Sequence, residues 1–502
     1  MEHLTLATDL YELTMMYGYF KAGRADKSAV FDMFYRENPC QGGYAIAAGL
    51  EQAIEYISNL QFSDEDLRYL RSLKFFDAEF LDYLKGLRFT GDVWAIPEGT
   101  VVFPYEPLVR VQAPLAQAQL LETALLSIIN HQTLIATKAS RVAHAAEGQP
   151  VMEFGLRRAQ GPDSGLYGAR AAIIGGCAAT SNVLAGQRFG VPVAGTHAHS
   201  WIMSFPSELE AFRAYARLYP QNCVLLVDTY DALRSGIPNA ITVAREMRAA
   251  GHELAGIRFD SGDLAYLSKK ARQMLDEAGF PQVKIVASGD LDELLIRDLR
   301  AQGAKIDSWG VGTRLIVSAD CPSLGGVYKL CAEEDGGGMV PKIKVTENPA
   351  KITNPGIKKV VRLVDKRNGM ALADLIMLEH ETIDPSQPLT IFDPVNTWKR
   401  KTLTNYEVHE LLQPVFRHGE RVYQGPDSVL AIQAYAQKSL SQFWPEYRRL
   451  IHPQTYIVDL SYELWNLKRK LIEEFHPSGN GTAGAEGGVP PAGVPLQGGA
   501  PS

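Results

Sequence analysis

The sequence predicts an α/β protein built on an irregular β/α barrel, with an amino-terminal α+β domain and a carboxyl-terminal extension packed on it. Three observations favour this fold class. From about residue 150, short β-branched runs alternate with amphipathic helical patterns at the spacing of consecutive βα units. The residues before 130 follow a different, mixed pattern. No G-x-G-x-x-G turn follows a first strand, which favours a barrel over a doubly wound dinucleotide-binding sheet.

The barrel is predicted over residues 131–330. Its predicted strands are Val151–Phe154, Val191–Ala194, Cys223–Val227, Leu254–Phe259, Lys284–Ala287 and Ile306–Val311. Its predicted helices are Ser207–Leu218, Ser235–Ala250, Asp263–Ala278 and Leu291–Gln302. Ser207 with Glu210, and Asp290 with Glu293, have the capping-box pattern that marks a helix start, and Asp263 is a further N-cap candidate.

The amino-terminal domain is predicted over residues 1–130 and mixes helices with strands. A first helix begins near Asp9 and carries Leu10, Leu13, Tyr17 and Phe20 on one side. The remaining predictions are a strand over Val30–Tyr35, helices over Leu50–Leu60 and Ser63–Lys85, and strands over Gly91–Ile96 and Pro107–Val111.

The carboxyl-terminal region, residues 331–476, is predicted to complete part of the amino-terminal domain. Gly- and Lys-rich loops and strands begin after about Gly325, and helical patterns return at Tyr406–Leu412 and Ser428–Phe443. Residues 477–502 are rich in Gly, Pro and Ala, a composition that buries too little apolar surface to fold, so they are predicted to form a disordered tail.

Composition restricts the functional classes. The chain has 502 residues, of which 46% are hydrophobic and 21% charged, and a net charge of −7. The acidic balance argues against nucleic acid as the main partner, because phosphate backbones require a basic surface. The five cysteines form no C-x-x-C pair and are expected to be reduced. With no signal-peptide pattern and no apolar run long enough for a membrane, we expect a cytoplasmic protein.

Polar clusters follow nearly every predicted barrel strand. A barrel brings the carboxyl ends of its strands to one mouth, where the active sites of such folds lie. The clusters are 155–161, Thr196 to His199, 228–231, Arg258 to Asp263, Ser288 to Asp290, and Gly310 to Arg314. Any one of them is explained by a helix cap or a turn. Their coincidence at one mouth indicates a functional site.

These clusters indicate phosphate handling. The turns at Gly289 and at Gly310 to Thr313 present backbone N–H groups and a hydroxyl, which suit phosphate oxygens. Asp228, Asp260 and Asp263 are oxygen ligands of the kind that Mg²⁺ recruits together with substrate phosphates. Arg157, Arg158 and Arg258 are bidentate donors for carboxylate or phosphate. The chain has no Walker A lysine motif, so a nucleotide is not held by a P-loop.

Five ordered motifs together resemble the nicotinate phosphoribosyltransferase family. The motifs are Thr8 to Met15 (TDLYELTM), Glu153 to Gly161 (EFGLRRAQG), Gly195 to Ser200 (GTHAHS), Arg258 to Asp263 (RFDSGD) and Gly310 to Thr313 (GVGT). The likeness continues in order through Leu324 to Leu330 and Glu347 to Lys351. The combination is specific, although no single motif is.

The resemblance implies that the chain condenses nicotinate with phosphoribosyl pyrophosphate to nicotinate mononucleotide and pyrophosphate, coupled to ATP hydrolysis with Mg²⁺. The family's phosphorylated histidine falls on His199, whereas the position of His197 varies in the pattern. By the same mapping Tyr11, Thr196 and Arg258 contact nicotinate, and Thr313 contacts the phosphoribosyl phosphate. The family also implies a homodimer with shared active sites, to which Tyr11 contributes across the interface.

The full set of predicted site residues combines this mapping with the mouth clusters. The catalytic residues are His199, Asp260 and Asp290. The phosphoribosyl phosphate and pyrophosphate ligands are Arg157, Ser261, Gly289, Gly310, Gly312 and Thr313, and the Mg²⁺ ligands are Asp260 and Asp228.

Three other functions remain open at this point. The nearest is a related phosphoribosyltransferase that uses nicotinamide or another pyridine. Charge distinguishes the two substrates, because the carboxylate of nicotinate requires an unopposed arginine whereas an amide prefers a nearby carboxylate acceptor. A metal-dependent barrel hydrolase is suggested by His197-x-His199, although no further histidines follow later strands. A non-catalytic, ligand-sensing relative is the third. Lys351, Lys358 and Lys359 are either ATP-phosphate contacts or part of a solvated basic loop.

Overall fold

The computed structural model describes residues 4–475, so the predicted disordered tail at 477–502 lies outside the described residues. The amino-terminal part contains helices α1 Leu10–Lys21, α2 Leu50–Ser58, α3 Asp64–Ser72, α4 Ala78–Gly86, α5 Leu115–Leu120 and α6 Glu122–Ala146. Its strands are β1 Ser28–Phe34, β2 Ala45–Ile46, β3 Asp92–Ala95, β4 Val101–Val102 and β5 Val109–Pro114.

The central part alternates strands and helices, as predicted. Its strands are β6 Val151–Glu153, β7 Ala179–Thr180, β8 Val224–Leu226, β9 Gly256–Phe259, β10 Lys284–Ser288 and β11 Ser308–Val311. Its helices are α7 Pro162–Ile174, α8 Val183–Phe189, α9 His199–Met203, α10 Glu208–Leu218, α11 Ile237–Ala249, α12 Leu264–Glu277, α13 Glu293–Ala301 and α14 Thr313–Ile316, with a π-helix at Ala232–Gly236. Ser207 and Asp263 cap α10 and α12 by accepting backbone N–H groups.

The carboxyl-terminal part is mainly β-structure. Its strands are β12 Val327–Asp335, β13 Gly338–Pro341, β14 Lys358–Asp365, β15 Ala371–Leu378, β16 Leu389–Phe392, β17 Arg400–Leu403, β18 Tyr406–Glu410, β19 Gln413–Arg417, β20 Glu420–Arg421 and β21 Val458–Leu460. Its helices are α15 Val429–Ser441 and α16 Tyr462–Phe475. Short 3₁₀ turns lie at Pro39–Gln41, Leu156–Arg158, Pro349–Lys351 and Pro445–Arg448. Within residues 4–475, no helix is long and apolar enough to cross a membrane.

Two sheets determine the architecture. Strands from both ends of the chain form a seven-stranded sheet in the order β13-β12-β1-β5-β3-β19-β20, in which β12 pairs antiparallel with β1. The central strands form a six-stranded parallel sheet in the order β7-β6-β11-β10-β9-β8. Each sheet lies against its own apolar core, and helix α6 contributes side chains to both cores.

The backbone ladder of the parallel sheet does not close into a barrel in the described residues. The predicted strand Val191–Ala194 forms only one parallel bridge, between Val193 and Thr180 at the β7 edge. At the opposite edge, the free N–H of Leu226 in β8 donates to the imidazole Nε2 of His197 at 3.3 Å. A side chain therefore spans the place where a closing strand pair was expected, and we call this contact the His197 bridge.

Three sequence predictions are wrong in detail. The predicted helix Ser63–Lys85 is two helices, because Lys74 takes a left-handed φ of 60° and Asp77 caps α4 by accepting the Phe80 N–H. Tyr406–Leu412 is not helical, since residues 406–410 form β18, an antiparallel partner of β14. Asp290 does not cap α13: it has φ 42°, and Asp292 accepts the first free N–H groups instead.

A buried ion pair joins the amino-terminal part to helix α7. Glu98 accepts two hydrogen bonds of 2.7 Å from Arg170 and a third from the Gly49 N–H at 2.6 Å. Burial raises the pKa of the Glu98 carboxyl, but the Arg170 charge and these hydrogen bonds outweigh it, so the pKa lies below its ordinary value. The pair thus stabilises the fold at pH values above the ordinary carboxyl pKa. This stabilisation is lost as the pH falls through the lowered pKa of Glu98 in the folded protein.

We expect Arg170→Met to lower the urea midpoint of unfolding, with a loss of about 3–5 kcal/mol, because it leaves the Glu98 carboxylate buried and unpaired. The control is Arg213→Met, which removes a solvent-screened pair with Glu246 and should lower the midpoint much less. Lowering the pH should reduce the difference between Arg170→Met and the wild type. Equal midpoints for the two variants would contradict this role for the pair.

Candidate active site

Arg258 lies at the carboxyl end of β9 and makes three hydrogen bonds to other side chains. It donates to Ser288 Oγ at 2.7 Å, to Thr196 Oγ1 at 2.8 Å and to Asp260 Oδ1 at 2.7 Å. A guanidinium has five N–H donors, so two remain for a ligand. The side chain is 13% exposed, which keeps its charge in a partly desolvated position. The three bonds fix the guanidinium plane and leave donors suited to an oxyanion.

Asp260 and Asp228 form the acidic side of the same cluster. Asp260 Oδ1 accepts from Arg258 and from Ser288 Oγ, the latter at 2.6 Å. Burial raises the pKa of Asp260, but these hydrogen bonds and the Arg258 charge outweigh it, so the pKa lies below its ordinary value. Asp228 Oδ2 accepts the Asp260 N–H at 2.7 Å and the Ser261 hydroxyl at 2.9 Å. Asp260 is therefore ionised at neutral pH.

His199 begins helix α9 and lies between two of these strand ends. Its Nδ1 is 3.0 Å from Thr229 Oγ1, and its Nε2 is 3.9 Å from Asp260 Oδ2. The side chain is 39% exposed. The imidazole is thus accessible, and it is oriented by a hydroxyl on one side and a carboxylate on the other.

His197 has a different environment although it is only two residues away. It is buried against Tyr215, with ring centroids 4.5 Å apart, and its Nε2 accepts the Leu226 N–H. Burial lowers the pKa of His197 to about 4, so the ring is neutral at physiological pH. Its Nε2 already accepts a hydrogen bond from the Leu226 N–H, so the structure does not support the hypothesis of a metal site at His197-x-His199.

The glycines at the strand ends allow close approach of neighbouring chain segments. Gly289 has φ 94°, and a Cβ there would lie 2.2 Å from the Asp260 carbonyl oxygen. A Cβ at Gly310 would lie 2.7 Å from the Phe154 ring, and one at Gly312 would lie 3.2 Å from the Phe154 carbonyl. Gly310 is buried within β11, so the missing side chain there allows the Phe154 ring to pack against the strand. Gly289 and Gly312 remain at the surface of the site.

The other predicted phosphate contacts surround the cluster. Arg157, Ser261 and Asp290 are exposed, and Thr313 is partly buried at the start of α14. Within the described part of the chain, the side chains of Arg157 and Asp290 make no hydrogen bond or ion pair. Lys358, by contrast, is buried in β14 and pairs with Asp32 at 2.9 Å, so it is neither a phosphate contact nor part of a solvated loop.

Sequence reasoning missed three residues of the site. The Phe154 ring lies 5.6 Å from the Arg258 guanidinium and forms an aromatic surface beside it. Thr229 orients His199. Glu153 is fully buried and accepts from the Thr180 hydroxyl at 2.6 Å and from the Gly155 N–H, and burial raises its pKa. Thr229 lies within the 228–231 cluster, and Glu153 and Phe154 lie at the start of the Glu153 to Gly161 motif, so their position at a strand end was the available signal.

Tyr11 is the predicted site residue that the structure does not bring to the cluster. It is 44% exposed on α1, a helix that packs against α5. Burial and then the nearby Glu122 carboxylate raise its pKa, and no described contact joins it to a strand-end residue. Leu10 and Met15 on the same helix are also exposed, at 46% and 38%.

The acidic residues fit an oxygen-ligated cation only in part. Asp228 Oδ1 is buried without a hydrogen-bond partner in the described residues, so one carboxylate oxygen is available. No group of three His, Cys, Asp or Glu side chains within residues 4–475 is arranged to hold a metal ion. The described residues thus offer one or two carboxylates to a cation, and any further ligands would have to come from a substrate.

The parallel sheet, with an arginine, two aspartates, a histidine and glycine turns at its carboxyl end, defines an α/β enzyme with anionic substrates. Family models match most of the chain: the nicotinate phosphoribosyltransferase (NAPRTase) N-terminal domain over residues 6–130, the NAPRTase family over 150–330 and the NAPRTase C-terminal domain over 357–468. The chain belongs to the nicotinate phosphoribosyltransferase family.

Individual relatives agree with this assignment over nearly the whole chain. The nicotinate phosphoribosyltransferase of Bacillus subtilis (strain 168) is 50% identical over 473 residues, which cover 94% of this chain and 96% of the relative. The human nicotinate phosphoribosyltransferase is 36% identical and covers 93% of this chain and 96% of its own. The crystal structure of human nicotinic acid phosphoribosyltransferase has a TM-score of 0.81 at 34% identity and covers 92% of this chain and 99% of its own.

Proposed function

We propose that this enzyme condenses nicotinate with phosphoribosyl pyrophosphate to give nicotinate mononucleotide and pyrophosphate, coupled to hydrolysis of ATP to ADP and phosphate through a phosphohistidine at His199. The observation that carries the proposal is Arg258, which is held by three side chains and keeps two N–H donors for a carboxylate. Phe154 lies beside it as a surface for a pyridine ring. Thr196, bonded to Arg258, lies in the same cluster.

Charge supports nicotinate over nicotinamide. An amide held at Arg258 would need a carboxylate acceptor beside the guanidinium, but the Asp260 oxygen that faces the guanidinium, Oδ1, is already engaged by Arg258 and Ser288. The free donors of Arg258 instead suit the negative carboxylate of nicotinate, since charge-assisted bonds to a guanidinium are stronger than those to a neutral amide.

The ribosyl transfer needs alignment and charge stabilisation. The pyridine nitrogen forms a bond to ribosyl C1 while the bond from C1 to the pyrophosphate oxygen breaks. We assign Arg157, Ser261, Gly289, Gly312 and Thr313 to the phosphates, with Asp290 beside them. Asp228 and Asp260 would hold Mg²⁺, which when bound neutralises charge on the leaving pyrophosphate.

ATP coupling requires a nucleophile that accepts and releases a phosphoryl group near neutral pH, and imidazole does both. His199 is accessible and fixed by Thr229, whereas His197 is buried and engaged in the His197 bridge. These environments support His199 as the phosphoryl acceptor.

We further propose that the parallel sheet acts as a barrel closed by the His197 bridge, with domains at 1–130, 131–330 and 331–476, and that the enzyme is a cytoplasmic homodimer. Tyr11 supports the dimer, because the family motif assigns it to the substrate site while its own helix keeps it exposed and away from the strand ends. A second copy would bring Tyr11 and the exposed Leu10 and Met15 to this site.

For His199→Asn we expect complete loss of ATP stimulation, with slow ATP-independent transfer retained, because the ribosyl chemistry does not need the imidazole. Product formation is measured with and without ATP, alongside ADP release. His252→Asn is the control, since His252 precedes β9 at the opposite end of the sheet. Normal ATP stimulation in His199→Asn would overturn the assignment.

For Arg258→Ala we expect nicotinate to bind about 10- to 150-fold more weakly, the loss of a charge-assisted hydrogen bond of about 1.5–3 kcal/mol. The affinity for phosphoribosyl pyrophosphate should change less. Arg157→Ala should show the opposite pattern. Separate KM values for the two substrates distinguish these outcomes, and an unchanged nicotinate KM with weakened phosphate-substrate binding would make Arg258 a phosphate ligand.

Mixing Tyr11→Ala with His199→Asn, each inactive in ATP-coupled transfer, should restore part of that activity, because some heterodimers then contain one intact shared site. Subunit exchange is verified first with differently tagged copies. If exchange occurs and activity does not return, each site is built from a single chain.

A further inference from the structure

A second cavity lies far along the chain from the strand-end cluster, between the Pro349–Lys351 turn, β15, β21 and helix α16. Its volume is about 540 Å³, within the range of small-molecule sites. The walls are largely apolar and include Tyr105, Ile376, Leu460, Trp465 and Ile472. None of these residues takes part in the function proposed above, and we call this cavity the α16 groove.

One cation lies in this apolar wall without a counter-charge. Lys468 on α16 is partly buried and donates to Asn354 Oδ1 at 2.9 Å. No carboxylate lies within 4.0 Å of its Nζ in the described residues. Burial, and then the positive charge of Lys358, lower the pKa of the Lys468 ammonium to about 8. The ammonium therefore has unused donors and an unfavourable electrostatic environment.

This arrangement differs from that of the fully buried cations in residues 4–475. Each of those six pairs with a carboxylate within 4.0 Å; they are Arg110, Lys138, Arg141, Arg170, Lys358 and Arg362. Desolvating a cation costs several kcal/mol unless an anion compensates it. The six buried cations all have that anion, whereas half-buried Lys468 faces the open groove in its place.

Aromatic groups line the same cavity. Trp465 and Tyr105 line the groove, and Arg469 stacks over the Trp465 ring at 5.1 Å from its centroid. Flat rings pack well between such side chains, and an acidic head within reach of Lys468 gains a charge-assisted hydrogen bond. A neutral ligand would leave the ammonium uncompensated.

We propose that the α16 groove is a second ligand site that takes an aromatic organic anion, with the ring system between Tyr105 and Trp465 and the acidic group on Lys468. The proposal is independent of the transferase activity. The ligand would join α16 to the loop that carries Asn354, so its binding stabilises the folded chain according to its concentration.

The test uses the full-length enzyme and two fluorescent probes of similar aromatic body. One is 1-anilinonaphthalene-8-sulfonate, which carries an acidic group, and the other is neutral N-phenyl-1-naphthylamine. We expect the wild type to prefer the sulfonate and the melting temperature to rise with its concentration. Saturating nicotinate and phosphoribosyl pyrophosphate should not displace it, which separates this site from the strand-end cluster.

Lys468→Met keeps the length of the side chain and removes its charge. It should weaken sulfonate binding about 10-fold or more, the value of one charge-assisted hydrogen bond, and leave the neutral probe unchanged. Lys470→Met on the exposed side of the same helix is the matched control and should bind both probes as the wild type does. Trp465→Phe should reduce energy transfer from tryptophan to the bound sulfonate, and unchanged transfer would contradict binding in this groove.

The proposal is overturned by no preference for the sulfonate in the wild type, by equal sulfonate affinity in Lys468→Met, or by an equal loss in Lys470→Met. The wild-type comparison of the two probes needs no variant, so it decides the question even if Lys468→Met does not fold. Displacement by nicotinate alone would assign the probe to the strand-end site and likewise overturn the proposal.

Discussion

The site depends on one constraint: Arg258 must stay charged in a partly desolvated position and still have donors for a ligand. The pair with Asp260 meets both conditions, because a single carboxylate oxygen compensates the guanidinium, and two N–H groups are still free after the bonds to Ser288 and Thr196. Asp260 is held in turn through its backbone by Asp228 and through its side chain by Ser288. Residues from four segments thus converge on one charge pair.

The parallel register of the sheet makes this convergence possible. Val286 in β10 pairs with Arg258 in β9, and Ser288 pairs with Gly310 in β11, so neighbouring strands end at the same level. The absence of a side chain at Gly310 gives the Phe154 ring its place beside the guanidinium. A glycine in a strand interior, unfavourable for the strand itself, is here the condition for an aromatic wall.

The accuracy of the sequence predictions depended on how far apart in the sequence the interacting residues lie. Strand ends and the caps at Ser207 and Asp263 are local, and the structure agrees with them. The 406–412 segment was misread because its apolar residues also fit a helical period, whereas pairing with β14, a long-range contact, makes it a strand. The His197 bridge, the bonds from Arg258 to Ser288 and Thr196, and the missing counter-charge of Lys468 depend on residues distant in sequence, which no local pattern reveals.

The His197 bridge has a mechanical consequence. Thr196 and His199 lie on one side of it, and Asp228 and Thr229 lie on the other, just after the strand that donates the Leu226 N–H. Elsewhere a backbone ladder holds neighbouring strands together, but here the contacts are the His197 bridge and two side-chain bonds, His199 to Thr229 and Arg258 to Thr196, of about 1–3 kcal/mol each. Side chains of the site itself therefore hold this seam, so a displacement of the accessible imidazole or of the guanidinium acts directly on the join between the two edges of the sheet.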